Sequence, residues 1–194
     1  MGQRLVITVV QNETDLAKIY YHWSAYSVCA LEEAKQLIDH ILTHKTMDND
    51  LRLQLVKYLE ANGGGIDGGY ESEEFKTFSK LYPNESFNEC PSRNDGLISF
   101  TKAGMRDMQR WSEGDIFIDL DSKMLYNTVF SIDTIEELRE WYDEDIKLED
   151  IPEYDINIDE IPFDEIGDVI NELEKIENDG GRFRKENDIY SLIY

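Results

Sequence analysis

The sequence predicts an α+β fold, with an antiparallel sheet from hairpins packed with several helices. Three observations predict it: two pairs of short β-branched or aromatic segments joined by turn residues, apolar residues at helical spacing between those pairs, and irregular alternation of the two kinds of segment. A doubly wound parallel sheet would alternate strands and helices more regularly. The 194 residues, 41% hydrophobic and 11% aromatic, are enough for a core in one domain or two small ones.

The first predicted hairpin pairs residues 5–10 with residues 17–26 across the turn residues 12–15. Its second strand ends in the unusual stretch YYHWSAY, residues 20–26. Strand alternation predicts that Tyr21 and Trp23 are buried and that His22 lies on the opposite face. A lone histidine in that place is more often a surface or hydrogen-bonded residue than a metal ligand.

Helical spacing of apolar residues predicts most of the remaining elements, and a capping pattern beginning at Thr134 predicts one more helix. The predicted helices cover residues 31–42, 51–59, 73–81, 105–111, 134–143 and 164–176. A short strand at 97–100 and a second hairpin of residues 115–120 and 124–130 extend the sheet. The glycine-rich residues 63–69 (GGGIDGG) predict a helix stop followed by a flexible loop.

Charge is the strongest compositional signal. The chain has 42 Asp and Glu residues but only 19 Lys and Arg residues, which gives a net charge of −23. Such a chain repels phosphate backbones and anionic membranes, so we expect neither as a direct partner. A basic protein is the partner that this charge favours, whereas the alternative is that acidity serves solubility alone.

The acids are concentrated near the C-terminus. Residues 133–179 hold 20 acids and 3 bases, a net of −17, whereas residues 1–132 hold 20 acids and 13 bases, a net of −7. We therefore divide the chain into an α+β core, residues 1–132, and an acidic helical and extended C-terminal segment, residues 133–194, which we expect to pack on the same domain.

Carboxylates crowded on a rigid support can mimic the charge of DNA and occupy a basic nucleic-acid channel. Residues 142–155 combine such acids with tyrosines suited to an interface. The predicted partner-binding residues are Tyr142, Asp143, Glu144, Asp145, Glu149, Asp150, Glu153, Tyr154 and Asp155.

One metal site is a second hypothesis. His22 and Asp67 are the predicted ligands, because imidazole and carboxylate together suit zinc or manganese, and glycines around Asp67 let the backbone close around a cation. The sequence does not show that the two residues meet. His40 and His44 are four residues apart on a predicted helix but lie off its apolar stripe, so we interpret them as structural.

Known catalytic patterns are not found in the sequence, so we do not expect an enzyme. Cys29 and Cys90 stand alone, without zinc-finger or disulfide-framework spacing. The sequence shows neither a signal segment nor an apolar run long enough to cross a membrane, and we expect a cytoplasmic protein.

Four stretches resemble parts of a group of small acidic proteins from phages and mobile elements of low-GC Gram-positive bacteria. They are MGQRL (1–5), YYHWSAY (20–26), SRNDGLI (92–98) and WSEGD (111–115). Some small acidic phage proteins of this kind are type II-A anti-CRISPRs, which inhibit Cas9. The resemblance implies that the basic partner is bacterial Cas9 or its guide-RNA complex, and it would also fit a metal-stabilised fold.

The sequence thus favours an acidic inhibitor that binds a basic nucleic-acid-processing enzyme and blocks its engagement of nucleic acid. Two alternatives stay open. One is a metal-binding enzyme or ligand-binding protein centred on His22 and Asp67, and the other is a structural or assembly protein of a phage particle.

Overall fold

The fold is seen in a computed structural model of the protein, which describes residues 4–25, 27–44, 50–88, 96–129, 132–133, 158–178, 183–185 and 188–190. Within these ranges the chain forms a seven-stranded sheet, a separate three-stranded sheet and five helices. The large sheet is mostly antiparallel, with some parallel pairs, which confirms the predicted α+β class.

The strands are β1 (Leu5–Gln11), β2 (Thr14–Tyr21), β3 (Gly65–Ile66), β4 (Leu97–Ser99), β5 (Gly114–Asp119), β6 (Met124–Asn127), β7 (Ile132–Asp133), β8 (Glu160–Pro162), β9 (Phe183–Lys185) and β10 (Asp188–Tyr190). The helices are α1 (Ser27–His44), α2 (Leu51–Ala61), α3 (Glu73–Leu81), α4 (Lys102–Gln109) and α5 (Ile166–Asn178).

The large sheet has the strand order β3-β4-β2-β1-β5-β6-β8, and the small sheet has the order β7-β10-β9. Both predicted hairpins are present as β1–β2 and β5–β6. They are joined by a parallel pairing of β1 with β5, and β3 pairs with β4 in parallel as well. These parallel pairs were not predicted, because they join segments that are distant along the chain.

A two-residue turn closes the first hairpin. Asn12 and Glu13 both have positive φ, 52° and 57°, as a type I′ turn requires. Thr14 pairs directly with Gln11, so β2 begins three residues earlier than predicted. Asparagine tolerates this left-handed conformation well, which helps to fix the register of the two strands.

The predicted burial of Trp23 is wrong. Tyr21 is only 6% exposed, as predicted, but Trp23 is 49% exposed. The difference arises because β2 ends at Tyr21, and the alternation of a strand does not extend into the bend that follows.

The glycine-rich stretch contains a strand that the sequence did not predict. Gly65 and Ile66 form β3, and Ile66 is fully buried in the core. Gly65 N donates to Gly96 O at 3.0 Å, and Asp67 N donates to Ile98 O at 3.0 Å. The segment is therefore an edge strand and not a free loop.

One face of the sheet carries the main core. Alternate residues of β1 and β2 enter it, and α1, α2 and α5 contribute apolar residues against them. Its fully buried larger members include Leu5, Ile7, Ile19, Leu31, Leu37, Leu55, Leu59 and Ile98.

The opposite face, where α4 covers it, combines buried apolar side chains, Val6 among them, with buried polar ones. Thr8, Lys18 and Ser99 are buried there. Lys18 Nζ donates to Thr8 Oγ1 at 2.7 Å and to Gln109 Oε1 of α4, also at 2.7 Å. Burial lowers the pKa of Lys18, and these hydrogen bonds offset part of the cost of removing its amine from water.

A buried carboxylate joins α3 to the start of α4. Glu74 accepts hydrogen bonds from the backbone N of Phe100 at 3.2 Å, from the backbone N of Thr101 at 3.3 Å, and from Thr101 Oγ1. Thr101 also caps α4, since its Oγ1 accepts from Gly104 N at 3.1 Å.

The C-terminal segment contributes to the same sheet. β8 pairs with β6, and α5 contacts α1 through a face that includes the buried Ile166, Ile170 and Leu173. The division between residues 132 and 133 stays a prediction, and the predicted helix at 134–143 lies outside the described residues. Among the helices that the structure describes, none has the length and apolar character needed to span a membrane.

Gly104 gives a test of how α4 is held. A Cβ at this position would lie 1.9 Å from Ser99 Oγ and 2.1 Å from Glu74 Oε1. Alanine normally stabilises a helix relative to glycine by about 1 kcal/mol. We expect Gly104→Ala instead to lower the free energy of unfolding by about 1–3 kcal/mol, because the methyl group overpacks the contact, as measured by urea denaturation.

Gly167→Ala is the matched control. It also lies in a helix, α5, where a Cβ would meet only Lys35 Cε at the ordinary distance of 3.5 Å. We expect it to be neutral or stabilising. Equal stability of the two variants would contradict the close approach of α4 to Ser99 and Glu74.

Candidate functional site

A cleft of about 390 Å³ opens beside α4, on the face of the sheet that α4 covers. Asp107 and Met108 in the last turn of α4 form part of its lining. We call it the α4 cleft, and its lining residues are Arg4, Tyr20, His22, Asp67, Leu97, Asp107, Met108 and Trp111.

Three strands place one group of lining residues. Arg4 directly precedes β1, and Tyr20 lies on β2 opposite Leu97 of β4. Strand alternation sends Tyr20 to the face opposite the buried Tyr21. His22 follows the end of β2 and lies in the cleft next to Tyr20.

Tyr20 and His22 form a hydrogen-bonded pair, with Tyr20 Oη 2.8 Å from His22 Nδ1. When the tyrosine donates this bond, Nδ1 accepts and the imidazole proton resides on Nε2. The ring of His22 also meets Trp23 edge-to-face, with centroids 4.7 Å apart. The hydrogen bond to Tyr20 can therefore orient the His22 ring. In this tautomer Nε2 can donate a hydrogen bond to a ligand, and in the other tautomer Nε2 can accept one.

Asp67 reaches the cleft from the turn that links β3 to α3. Ser72 Oγ donates to the carbonyl oxygens of Asp67 and Gly69, each at 2.8 Å, and Ser72 also caps α3. Gly68 has φ +81°, and a Cβ there would lie 2.7 Å from Ser72 Cβ. The turn therefore requires glycine at position 68. The turn also holds Asp67 close to the sheet, since Asp67 N donates to Ile98 O of β4.

An ion pair closes another side of the cleft. Arg4 Nη2 lies 2.7 Å from Glu113 Oε1, and the backbone N of Arg4 donates to Glu113 Oε2 at 2.9 Å. The guanidinium carbon of Arg4 lies 5.7 Å from the ring centroid of Trp111. The hydrogen bond from Arg4 lowers the pKa of Glu113, and the same bond raises the pKa of Arg4.

Aromatic exposure is concentrated around the α4 cleft. Trp23, Tyr70 and Trp111 are 49%, 51% and 55% exposed. Trp111 lines the cleft, Trp23 contacts His22, and Tyr70 lies in the turn that carries Asp67. Exposed large aromatic side chains next to a concave surface are typical of binding sites.

The structure therefore brings the two predicted metal ligands, His22 and Asp67, into one cleft, with Asp107 as a further carboxylate. No group of three or more His, Cys, Asp and Glu in the described part of the chain has the arrangement of a metal site. The prediction of zinc or manganese stays a prediction.

Sequence reasoning did not identify Arg4, Asp107 and Trp111 as site residues. Arg4 lies more than 100 residues before Asp107 and Trp111 in the sequence, and the parallel pairing of β1 with β5 was the missing information. One signal was available, because each of the four stretches that carry the resemblance contributes a lining residue: Arg4, Tyr20, Leu97 and Trp111.

The predicted partner-binding residues lie outside the described residues. They are Tyr142, Asp143, Glu144, Asp145, Glu149, Asp150, Glu153, Tyr154 and Asp155. Further along the sequence, Asp168 and Glu172 of α5 are exposed, and neither forms an ion pair with another residue that the structure describes.

Comparison with known proteins adds no assignment: no family model, curated protein or solved structure matches the chain. The site must therefore be interpreted from its own geometry. That geometry is a small cleft with carboxylates, an oriented histidine, an internally paired arginine and an aromatic rim.

The Arg4–Glu113 pair predicts a specific pH dependence of stability. Because the folded-state pKa of Glu113 lies below its ordinary value, the pair contributes stability above the ordinary carboxyl range and loses that contribution as pH falls through the folded-state pKa. We expect Glu113→Gln to reduce the loss of unfolding free energy between neutral and acidic pH, as measured by urea denaturation across that range.

Arg4→Met is the partner variant for a double-mutant cycle. In that background Glu113 has lost its cation, so Glu113→Gln should change the acid limb of the stability curve much less. If Glu113→Gln has the same effect in both backgrounds, the ion pair is not the cause.

Proposed function

We propose that the protein is an acidic inhibitor that binds a basic nucleic-acid-processing enzyme and blocks its engagement of nucleic acid. The observation that carries the proposal is the net charge of −17 within residues 133–179. Cas9, or its guide-RNA complex, is the first partner to test because of the resemblance to type II-A anti-CRISPRs. The proposed place of action is the cytoplasm of the host bacterial cell.

The described residues support a surface of unneutralised acids. Asp164, Glu165, Asp168 and Glu172 are exposed at the start of α5 and along it, whereas Ile166 and Leu173 of the same helix are buried. Because α5 is held against α1, these carboxylates lie on a rigid support. Ordered negative charge steers association with a basic channel and competes with the phosphates that it normally binds.

Charge removal in the acidic segment tests this mechanism. We expect the triple variant Asp143→Asn, Glu144→Gln, Asp145→Asn to weaken binding to Cas9–guide RNA and inhibition of DNA cleavage by about tenfold or more, since each lost charge pair contributes of order 0.5–1 kcal/mol. Affinity should also fall steeply between 50 mM and 200 mM salt, because screening weakens the attraction.

The matched control removes the same charge from exposed acidic residues outside the acidic segment, within residues 1–132. Its substitutions are Glu13→Gln, Glu32→Gln and Glu73→Gln. We expect this control to retain most of the inhibition. Binding that is absent at low salt, or an equal loss in both triple variants, would contradict inhibition through the acidic segment.

A ligand-binding or metal-binding protein is the second candidate function. The observation that favours it is that His22 and Asp67, distant in sequence, line one cleft. Imidazole and carboxylate ligands suit zinc or manganese, and an oriented His22 could supply the nitrogen.

Metal analysis tests this candidate. If the α4 cleft holds a metal, the purified protein should contain close to one equivalent of zinc or manganese by mass spectrometry, and His22→Ala should lose most of it while Tyr21 and the core stay folded by circular dichroism. His44→Ala, which changes an exposed histidine outside the cleft, is the control. A folded protein that takes up no metal from excess zinc or manganese would exclude a site for either metal in the α4 cleft.

A further inference from the structure

We infer that the solvent side of α4, together with Trp111, binds single-stranded RNA and contacts the guide RNA carried by the partner enzyme. This inference rests on the proposed function, because that function supplies an enzyme loaded with RNA. The nucleic acid that the inhibitor excludes is then the target DNA, whereas the guide RNA is already bound. We call Lys102, Arg106 and Arg110 the α4 basic row.

The α4 basic row follows one line along the helix. Its three members are four residues apart, so they lie on one face with a rise of about 6 Å between neighbours. All three are exposed, whereas Met105 and Met108 on the opposite side of the helix are buried. A line of exposed cations can follow the phosphate backbone of a nucleic-acid strand.

The charge of the row is not neutralised within the part of the chain that the structure describes. Neither Lys102 nor Arg106 forms an ion pair with another described residue. Arg110 Nη1 lies 3.5 Å from Asp107 Oδ1, but both side chains are 69% exposed, and water weakens that pair. The solvent side of α4 is therefore positive, although the whole chain carries −23.

The stability of α4 does not explain the row. Like charges four residues apart destabilise a helix, and a cation in the first turn opposes the helix macrodipole. Lys102 is the first residue of α4. Acids outnumber bases by 42 to 19 in this chain, so three bases in succession on one line depart from its composition. An arrangement that is unfavourable for the helix itself favours a role in binding an anion.

An exposed indole at the end of the row favours a nucleic acid over an acidic peptide. Trp111 directly follows Arg110 and is 55% exposed, and its backbone N donates to Met108 O at 2.9 Å. Nucleobases stack on such rings, and stacking beside a positive surface is typical of proteins that bind single strands. The bases of a duplex stack on one another, so Trp111 favours an unpaired strand.

The charge of the whole chain determines where the row can act. We expected no direct nucleic-acid partner, because a net charge of −23 repels phosphates, and the row is a local exception. Salt screens the repulsion from exposed carboxylates beyond about 8 Å at physiological ionic strength. An acidic segment bound to the basic enzyme would also hold the row near the RNA and raise its effective concentration. We therefore expect a preference for the RNA-loaded enzyme.

Fluorescence anisotropy of labelled decauridine, titrated with the full chain at about 150 mM salt, tests the inference. We expect saturable binding. The triple variant Lys102→Gln, Arg106→Gln, Arg110→Gln should bind at least about tenfold more weakly, and its slope of log affinity against log salt should be smaller by about 2, since each phosphate contact of a single strand contributes about 0.7. Trp111→Leu should weaken binding about fivefold or more, because it removes the stacking surface.

The matched control removes three exposed bases from α3, the β5–β6 turn and α5, by Lys80→Gln, Lys123→Gln and Lys175→Gln. It should bind decauridine within about twofold of the parent protein, because screened distant charges contribute little. The inference is overturned if the parent protein does not bind decauridine, if both triple variants weaken binding equally, or if decaglutamate displaces the RNA as effectively as unlabelled decauridine. Circular dichroism of each variant establishes that it is folded.

Failure of this inference and failure of the proposed function are distinguishable. Suppose that the row variant inhibits Cas9 as strongly as the parent protein, with the same preference for the RNA-loaded over the RNA-free enzyme. The RNA contact is then wrong, while the acidic inhibitor stands. If decauridine binds the row but Cas9 binds in neither form, the RNA-binding surface stands and Cas9 is the wrong partner.

Discussion

The attachment of α4 to the sheet is the constraint on which the candidate site depends. The carboxylate of Glu74 accepts the backbone hydrogens that precede this helix, and Gly104 allows the helix to approach Ser99 without a side chain between them. Lys18 then connects the far end of the helix to the sheet through Gln109. Thr8, Lys18 and Gln109 are hydrogen-bonded in this buried polar layer, and these bonds hold α4 in position. Ser99 Oγ is also buried there but has no hydrogen-bond partner among the residues that the structure describes.

The last turn of that helix forms one wall of the cleft. α4 spans Lys102–Gln109, contacts Lys18 through Gln109, and lines the cleft with Asp107 and Met108. Trp111 and Arg4, which is paired with Glu113, border the cleft on another side. The same arrangement that stabilises α4 thus creates a concave surface with polar walls.

Local sequence patterns predicted the helices and strands, whereas pairing between distant strands determined which residues line the α4 cleft. The hairpins and most helices of the described residues could be predicted, because turn residues and helical spacing are local signals. Gly65 and Ile66 were missed, since an edge strand of two residues has no periodicity. Trp23 was misplaced because alternation indicates a face only while the strand continues. His22 and Asp67 were chosen for their chemistry, whereas Trp111 joined them through strand pairing that no short motif encodes.

The parallel pairing of β1 with β5 also has a consequence for biosynthesis. Leu5 is the register partner of Gly114, so the central strand lacks one neighbour until more than half of the chain has left the ribosome. Until then the emerging β1–β2 hairpin has an open edge on a strand that is almost wholly apolar. Contacts of such sequence separation slow the search for the native topology. We therefore expect the pairing of β1 with β5 to form late in folding.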